Sequence, residues 1–290
     1  YDQAPCGAAS RYSGGAHPMK TFSLAMIVRN EEQILARCLD SLAPIADEIV
    51  IVDTGSIDAT KQIAARYTEK IVDLSWQDNF AEARNFMMSQ TSCDYVLLAD
   101  ADEQFSDSVV TELAACKHRL NDENAVITMY DDSRSGFVST RIRLLRRNAN
   151  FVWMHPIHER VELTEPILTS DVPVVHTKSC AVMSQNRRAI ICKMIHDAYP
   201  FDLELALNCW LDAYRVHDMP LAEELWRICV VCARQTKDPS IALFFAKILQ
   251  KAADFPAALD LLTLAGCGDT VLARLLRLQL SRSQSSYERK

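Results

Sequence analysis

The sequence predicts an α/β domain on a mixed, mostly parallel sheet flanked by helices, followed by an all-α region of repeated helical hairpins. Three apolar runs, ending at Val28, Val52 and Ala99, each lead into a polar turn, and helix-like stretches follow them, which is the alternation of a parallel sheet. Beyond about residue 180 strong β runs stop. From Leu205 and again from Ile241 the chain repeats a pattern at an offset of 36 residues (241 minus 205), as stacked hairpins do.

Taken in order, residues 1–18 contain Gly14-Gly15, Pro5 and Pro18 and no periodicity, so they are expected to form a tail, with Met19 as the natural start. The sheet domain is expected over 19–180. Its first turn, Arg29-Asn30-Glu31-Glu32-Gln33, follows Leu24–Val28; Asn30 with Gln33 also reads as a helix capping box. The second, Asp53-Thr54-Gly55-Ser56-Ile57-Asp58, follows Glu48–Val52, and Ser56 or Asp58 also reads as the cap of a helix running to Tyr67. The third, Asp100-Ala101-Asp102-Glu103, sets three carboxylates within four residues at the end of the apolar strand Tyr95–Ala99. Aspartates two apart on an extended chain point to opposite sides, so one can meet a ligand hydroxyl and the other a hard divalent cation, although strand-end aspartates also cap loops. All three turns are expected on one edge of the sheet, where open α/β sheets bind ligands.

A chain of 290 residues, 49% hydrophobic, can bury a sizeable core. Its net charge of -7, without a basic stripe, argues against a nucleic-acid partner. No apolar run reaches the roughly 18 to 20 residues that span a bilayer, so a cytoplasmic location is expected. The ten cysteines are scattered through predicted strands and helices and are expected to be reduced core thiols. Cys229 and Cys232 have valines between them and no second pair at zinc spacing, which makes them a core pair too.

The helical region is expected over 181–290. Leu205 to Leu225 aligns with Ile241 to Leu261, and Pro220 and Pro256 fit the first turn of each second helix. The offset lies near the period of about 34 of tetratricopeptide repeats. So few hairpins cannot bury their apolar faces alone, and they are expected to pack on the sheet domain or on a second copy, which leaves a homodimer open. Trp210, Trp226, Phe244 and Phe245, at helical spacing, read as core rather than as a peptide-binding surface, and 281–290 as a frayed polar tail.

Five blocks together, Ile27-Val-Arg-Asn-Glu-Glu32, Ile51-Val-Asp-Thr-Gly-Ser56 with Asp58, Phe80-Ala-Glu-Ala-Arg84-Asn85, Leu98-Ala-Asp-Ala-Asp-Glu103 and Ile157-His-Glu159, resemble the family 2 glycosyltransferases of GT-A fold, in the family's order. The resemblance spans roughly residues 21 to 180. It implies a metal-dependent, inverting transfer of a hexose-type sugar from a UDP-sugar, with Mn²⁺ or Mg²⁺ neutralising the diphosphate leaving group. The Asp-x-Asp motif then supplies the metal ligands, Asp102 first and Asp100 beside it, and His176, after Val174-Val175, completes the set; His155 and His158 are weaker candidates. Asp53 falls at the uracil or ribose, with Ile27, Arg29, Asn30, Glu32, Gly55 and Ala101 along the turns. Arg84 falls at the base or phosphate, where its planar donor fork suits either, though a helical Arg84 could instead pair with Glu82 or another acid. Glu159 matches the acidic residue after histidine and is the candidate general base; it also reads as a surface strand glutamate.

One departure concerns the acceptor side: where relatives often carry glycine ahead of the His-Glu pair, this chain has Trp153-Met154-His155-Pro156, a stiffer and larger loop. The combination with tetratricopeptide-like helices resembles the branch containing bacteriocin peptide S-glycosyltransferases and also many bacterial transferases. A peptide, a glycan, a lipid-linked sugar and a small alcohol all stay open as acceptors. Two rivals from other classes are a nucleotidyltransferase, from which the acidic, glycine-free first turn departs, and a non-catalytic protein that holds nucleotide in its sheet and a partner on its helices.

Overall fold

The computed structural model describes residues 18–132, 137–176, 185–196, 203–235 and 255–264, with scattered positions between 242 and 277. The expected boundary near 180, Phe244, Phe245 and most of the tails at 1–18 and 281–290 lie outside the described residues. The chain divides into two compact units. The first comprises Tyr1–Trp76, Ala83–Trp153 and Val161–Lys178, the second Gln77–Glu82, Met154–Arg160 and Ser179–Lys290.

In the first unit the strands are β1 (Phe22–Val28), β2 (Glu48–Asp53), β3 (Ile71–Asp73), β4 (Tyr95–Leu98), β5 (Glu103–Gln104), β6 (Ala125–Asp132), β7 (Phe137–Arg146) and β10 (Ile167–His176). Two-residue strands β8 (Trp153–Met154) and β9 (Arg160–Val161) do not join them. Among the described residues the eight form one sheet in the order β3-β2-β1-β4-β7-β6-β10-β5. β1 runs parallel to β2 and β4, β2 to β3 and β6 to β10, whereas β7 is antiparallel to β4 and β6. The sheet is thus mixed and mostly parallel, and the three expected turns leave the same edge.

The strand interiors are apolar because helices cover the sheet. α1 (Leu35–Leu42) and α4 (Asp107–Arg119) bury Leu35, Leu39, Leu42, Val109 and Leu113 in one cluster with Phe22, Leu24, Met26, Ile51, Tyr95 and Leu97. At about 1.5–3 kcal/mol for each fully buried large side chain, this cluster dominates the unit's stability. α2 (Thr60–Ala64) is shorter than expected and gives way to a turn before Tyr67, and α3 (Phe80–Ser89) precedes β4. The capping-box reading of Asn30 and Gln33 is corrected: α1 has no side-chain cap, and Leu35 donates instead to the Glu31 carbonyl.

The second unit is helical: α5 (Gln185–His196), α6 (Leu203–Arg215), α7 (Met219–Gln235) and α8 (Phe255–Leu264). His217 takes φ 59°, and Asp218 accepts from the Leu221 amide, so the chain reverses between α6 and α7 within three residues. α7 and α8 begin 36 residues apart (255 minus 219), each with proline second, the offset read from the sequence. Trp210 is buried, stacks on Tyr214 at 5.0 Å and meets Trp226 at 5.1 Å. Burial raises the Cys229 thiol, with Cys232 and Cys209 pushing the same way, as befits a core residue. Among the described residues no helix is long and apolar enough to cross a membrane.

Candidate active site

The first two turns are built as one piece. Thr54 N donates to the Val28 carbonyl at 3.0 Å, which sets the end of β2 beside that of β1. Asn30, at φ 55°, donates its amide to Ser56 Oγ (2.9 Å), and its side-chain Oδ1 accepts from Ile57 N (2.9 Å). Glu32 Oε2 accepts from Ala59 N (2.9 Å), and Asp58 bridges the Glu32 and Thr60 amides. The reading of Ser56 or Asp58 as the cap of α2 is corrected: its N-cap is Ala59, without a side-chain cap bond, and Asp58 instead ties the Thr60 amide to the first turn. Asn30 spends its side-chain carbonyl and Glu32 one carboxylate oxygen on this brace; Arg29 and Ile27 stand at the same end of β1, Arg29 exposed.

Asp53 closes β2 and is wholly buried. One oxygen, Oδ1, accepts from Gly55 N (2.9 Å) and Ser56 N (2.8 Å), an arrangement that needs Gly55 at φ 103°. The other, Oδ2, is buried with no hydrogen-bond partner. A buried carboxylate oxygen without a donor is costly, and a ligand N–H or O–H would satisfy it.

The third turn differs from its expected form. β4 stops at Leu98, and Asp100 to Glu103 form a turn, with Glu103 N donating to the Asp100 carbonyl (3.1 Å) and Asp100 N to Glu103 Oε2 (3.0 Å). Asp100 and Asp102 are therefore not on opposite faces of a strand. The Asp100 side chain is 54% exposed, Ala101 is buried and Asp102 is half-buried.

Glu103, unassigned in the sequence, turns inward. It is 2% exposed and takes a bidentate pair from Arg143, itself 3% exposed, at 2.7 and 2.5 Å. Burial raises the Glu103 carboxyl and the Arg143 guanidinium opposes that rise. Arg143 also donates to the Leu98 carbonyl (3.1 Å) and Thr128 Oγ1 (3.3 Å), so one buried side chain ties the acidic turn to β4 and β6. Cys38 of α1 donates to the Asp100 carbonyl at 3.5 Å, its thiol pushed up to about 12 by burial and by Glu103 and Asp100. Neither Arg143 nor Cys38 carries a local motif; the one available signal was a charged residue within the apolar stretch of β7.

His176 ends β10 in antiparallel register with Glu103, one residue past Asp102. Its side chain lies outside the described residues, and among those residues no three His, Cys, Asp or Glu side chains are gathered as a metal site. Two aspartates on a turn with a histidine at the facing strand end are a donor set suited to a hard or borderline divalent ion. Arg84 of α3 is paired with Asp100 (3.8 Å) rather than with Glu82.

Glu159 belongs to the second unit, half-buried in the 154–160 segment, where His155 (φ 73°) and His158 (φ 51°) adopt left-handed backbone. The segment is tied within its own unit by Phe80 N to the Pro156 carbonyl (2.8 Å), His158 Nε2 to Asp212 (2.9 Å) and Arg160 to Glu204 (3.2 Å).

An open α/β sheet with acidic and polar turns on its carboxyl edge defines a ligand-binding class of domain. The family model for Glycosyl transferase family 2 matches residues 23–174, more than half of the chain, and the chain belongs to that family. A TPR repeat-containing protein of Synechococcus elongatus is 34% identical over 148 residues, 50% of this chain and 36% of that protein. The SPbeta prophage-derived glycosyltransferase SunS of Bacillus subtilis is 25% identical over 144 residues, 48% of this chain and 34% of its own length. The chain thus spans about a third of the length of these relatives. Among solved structures, glucosyl-3-phosphoglycerate synthase from Mycobacterium tuberculosis in complex with Mn²⁺ and UDP-glucose aligns with a TM-score of 0.35 and 23% identity, over 40% of this chain and 45% of that one.

Proposed function

We propose that this glycosyltransferase moves a hexose-type sugar from a UDP-sugar, with inversion and with a divalent metal, to a nucleophilic hydroxyl or thiol. The observation that carries the reading is the buried, unpartnered Oδ2 of Asp53 at the carboxyl edge of β2, where a uracil N–H or ribose hydroxyl would supply the missing donor. Ile27, Arg29, Asn30, Glu32, Gly55 and Ala101 shape the nucleotide's surroundings. Arg84 faces the diphosphate. Asp102, Asp100 and His176 would hold Mn²⁺ or Mg²⁺, which supplies neutralisation of charge on the leaving diphosphate. Glu159 takes the acceptor's proton as it attacks the anomeric carbon opposite the leaving group. Domains at 19–180 and 181–290, with the helices serving an acceptor or a second copy, complete the reading.

Release of UDP from a panel of UDP-sugars, with Mn²⁺ or Mg²⁺ and no acceptor, tests it. Metal-dependent release, lost in Asp102→Asn and reduced in Glu159→Gln, is expected. No release from any donor, together with no UDP binding by calorimetry, would overturn it.

A further inference from the structure

Two consecutive residues of α3 seize one tryptophan. Asn85 holds its backbone at both ends: Trp153 N donates to Asn85 Oδ1 at 2.9 Å, and Asn85 Nδ2 donates to the Trp153 carbonyl at 3.0 Å. Arg84 holds its ring, with the guanidinium 5.0 Å from the ring centroid. The same guanidinium reaches Asp100 at 3.8 Å, so Arg84 meets both an aromatic ring and the acidic turn. Trp153 is 7% exposed, and its indole Nε1 is buried without an acceptor. Hydrogen bonding therefore does not explain why an indole stands here, since a phenylalanine would leave no donor unpaired. The broad, electron-rich face that indole offers a cation does.

We infer that Trp153 is a positioning residue of the donor site, which fixes the Arg84 guanidinium beside Asp100, where its charge meets the anionic diphosphate. This rests on the UDP-sugar reading above. An arginine held against a ring loses less freedom on meeting a phosphate than a mobile one, so the benefit falls on donor affinity rather than on the chemical step.

The test is calorimetric binding of UDP, with KM and kcat for donor hydrolysis, in the full chain and in Trp153→Leu, Trp153→Phe, Arg84→Met and the double variant Arg84→Met/Trp153→Leu. Trp153→Leu is expected to weaken UDP binding and raise KM about tenfold with little change in kcat, and Trp153→Phe to recover most of it. In the Arg84→Met background the same Trp153 substitution is expected to change UDP binding less than twofold, because the group it positions is gone. Equal losses in both backgrounds, or a lowered melting temperature with UDP affinity unchanged, would overturn the positioning role. A parent chain that binds no UDP would instead remove the donor reading on which it rests.

Discussion

Asp53 separates two jobs within one carboxylate. Oδ1 folds the turn through Gly55 and Ser56, and Oδ2 is buried without a partner, the atom proposed to meet the nucleotide. Asp53→Asn keeps an acceptor for the turn and replaces the free acceptor with an NH₂ donor. Its expected effect is a 10- to 100-fold loss of UDP affinity, from about 1.5–3 kcal/mol for a hydrogen bond to a charged group, with a nearly unchanged melting temperature. Calorimetry beside a thermal melt checks both halves. Large equal losses in both would mean that Asp53 serves the turn alone. Legibility at this scale follows the same division. Asp53 could be picked out because it ends an apolar run, whereas its unsatisfied oxygen depends on Val28, Gly55 and Ser56 all being in place.

At the scale of elements, a half-buried and a buried carboxylate, Glu48 and Glu103, give opposite pH behaviour. Glu48 opens β2 and gathers Ser23 Oγ, Lys70 Nζ and both donors of Ser92, joining β1, β2 and the entry to β4. Burial alone would raise its pKa, but the bonds from Lys70, Ser23 and Ser92 outweigh that and hold it at about 2, below its ordinary 4.5. A depressed pKa stabilises the fold above the unfolded value and is lost as pH falls through the folded one. Glu48 should therefore contribute about 3 kcal/mol near neutrality that disappears between pH 4.5 and 2. Urea titrations across that range should show a shallower acid limb in Glu48→Gln; parallel limbs would refute it. Arg143→Met leaves Glu103 buried without its counter-charge, an expected loss of about 3–5 kcal/mol at neutral pH. The folded pKa, already raised by burial, should rise further without Arg143, so the penalty should shrink as pH falls and grow as pH rises from the unfolded pKa towards the folded one. A pH-independent loss in the same titrations would place the damage in packing. Strands β1, β2 and β4 were legible because their apolar runs are local; the Arg143–Glu103 pair was not, because its partners are 40 residues apart and meet only through the pairing of β7 with β4. The acidic turn was misread as extended for the same reason, since Glu103 curls it by bonding inward.

At the scale of the whole molecule, the repeat was legible through its offset, but the membership of residues 154–160 was not. That segment lies within the stretch read as sheet domain, yet it folds with the helices, held by His158 on Asp212 and Arg160 on Glu204 of α6. Sequence order cannot show this, because the bonds join residues 44 to 54 apart. The division places Asp53, Arg84, Asp100 and Asp102 in one unit and Glu159 in the other. On the proposed roles of these residues, donor binding and acceptor activation should be separable by substitution. Asp212→Ala removes the anchor of His158, a residue at φ 51° whose backbone is disfavoured without such a contact, and should loosen Glu159 next to it. Its expected result is an unchanged UDP affinity with kcat for transfer or donor hydrolysis lowered about tenfold, the size of a small displacement of a general base. Added to Glu159→Gln, the same substitution should cost little more, because the group it positions no longer acts as a base. A fall in UDP affinity matching the fall in kcat would show instead that the helical unit supports the donor site.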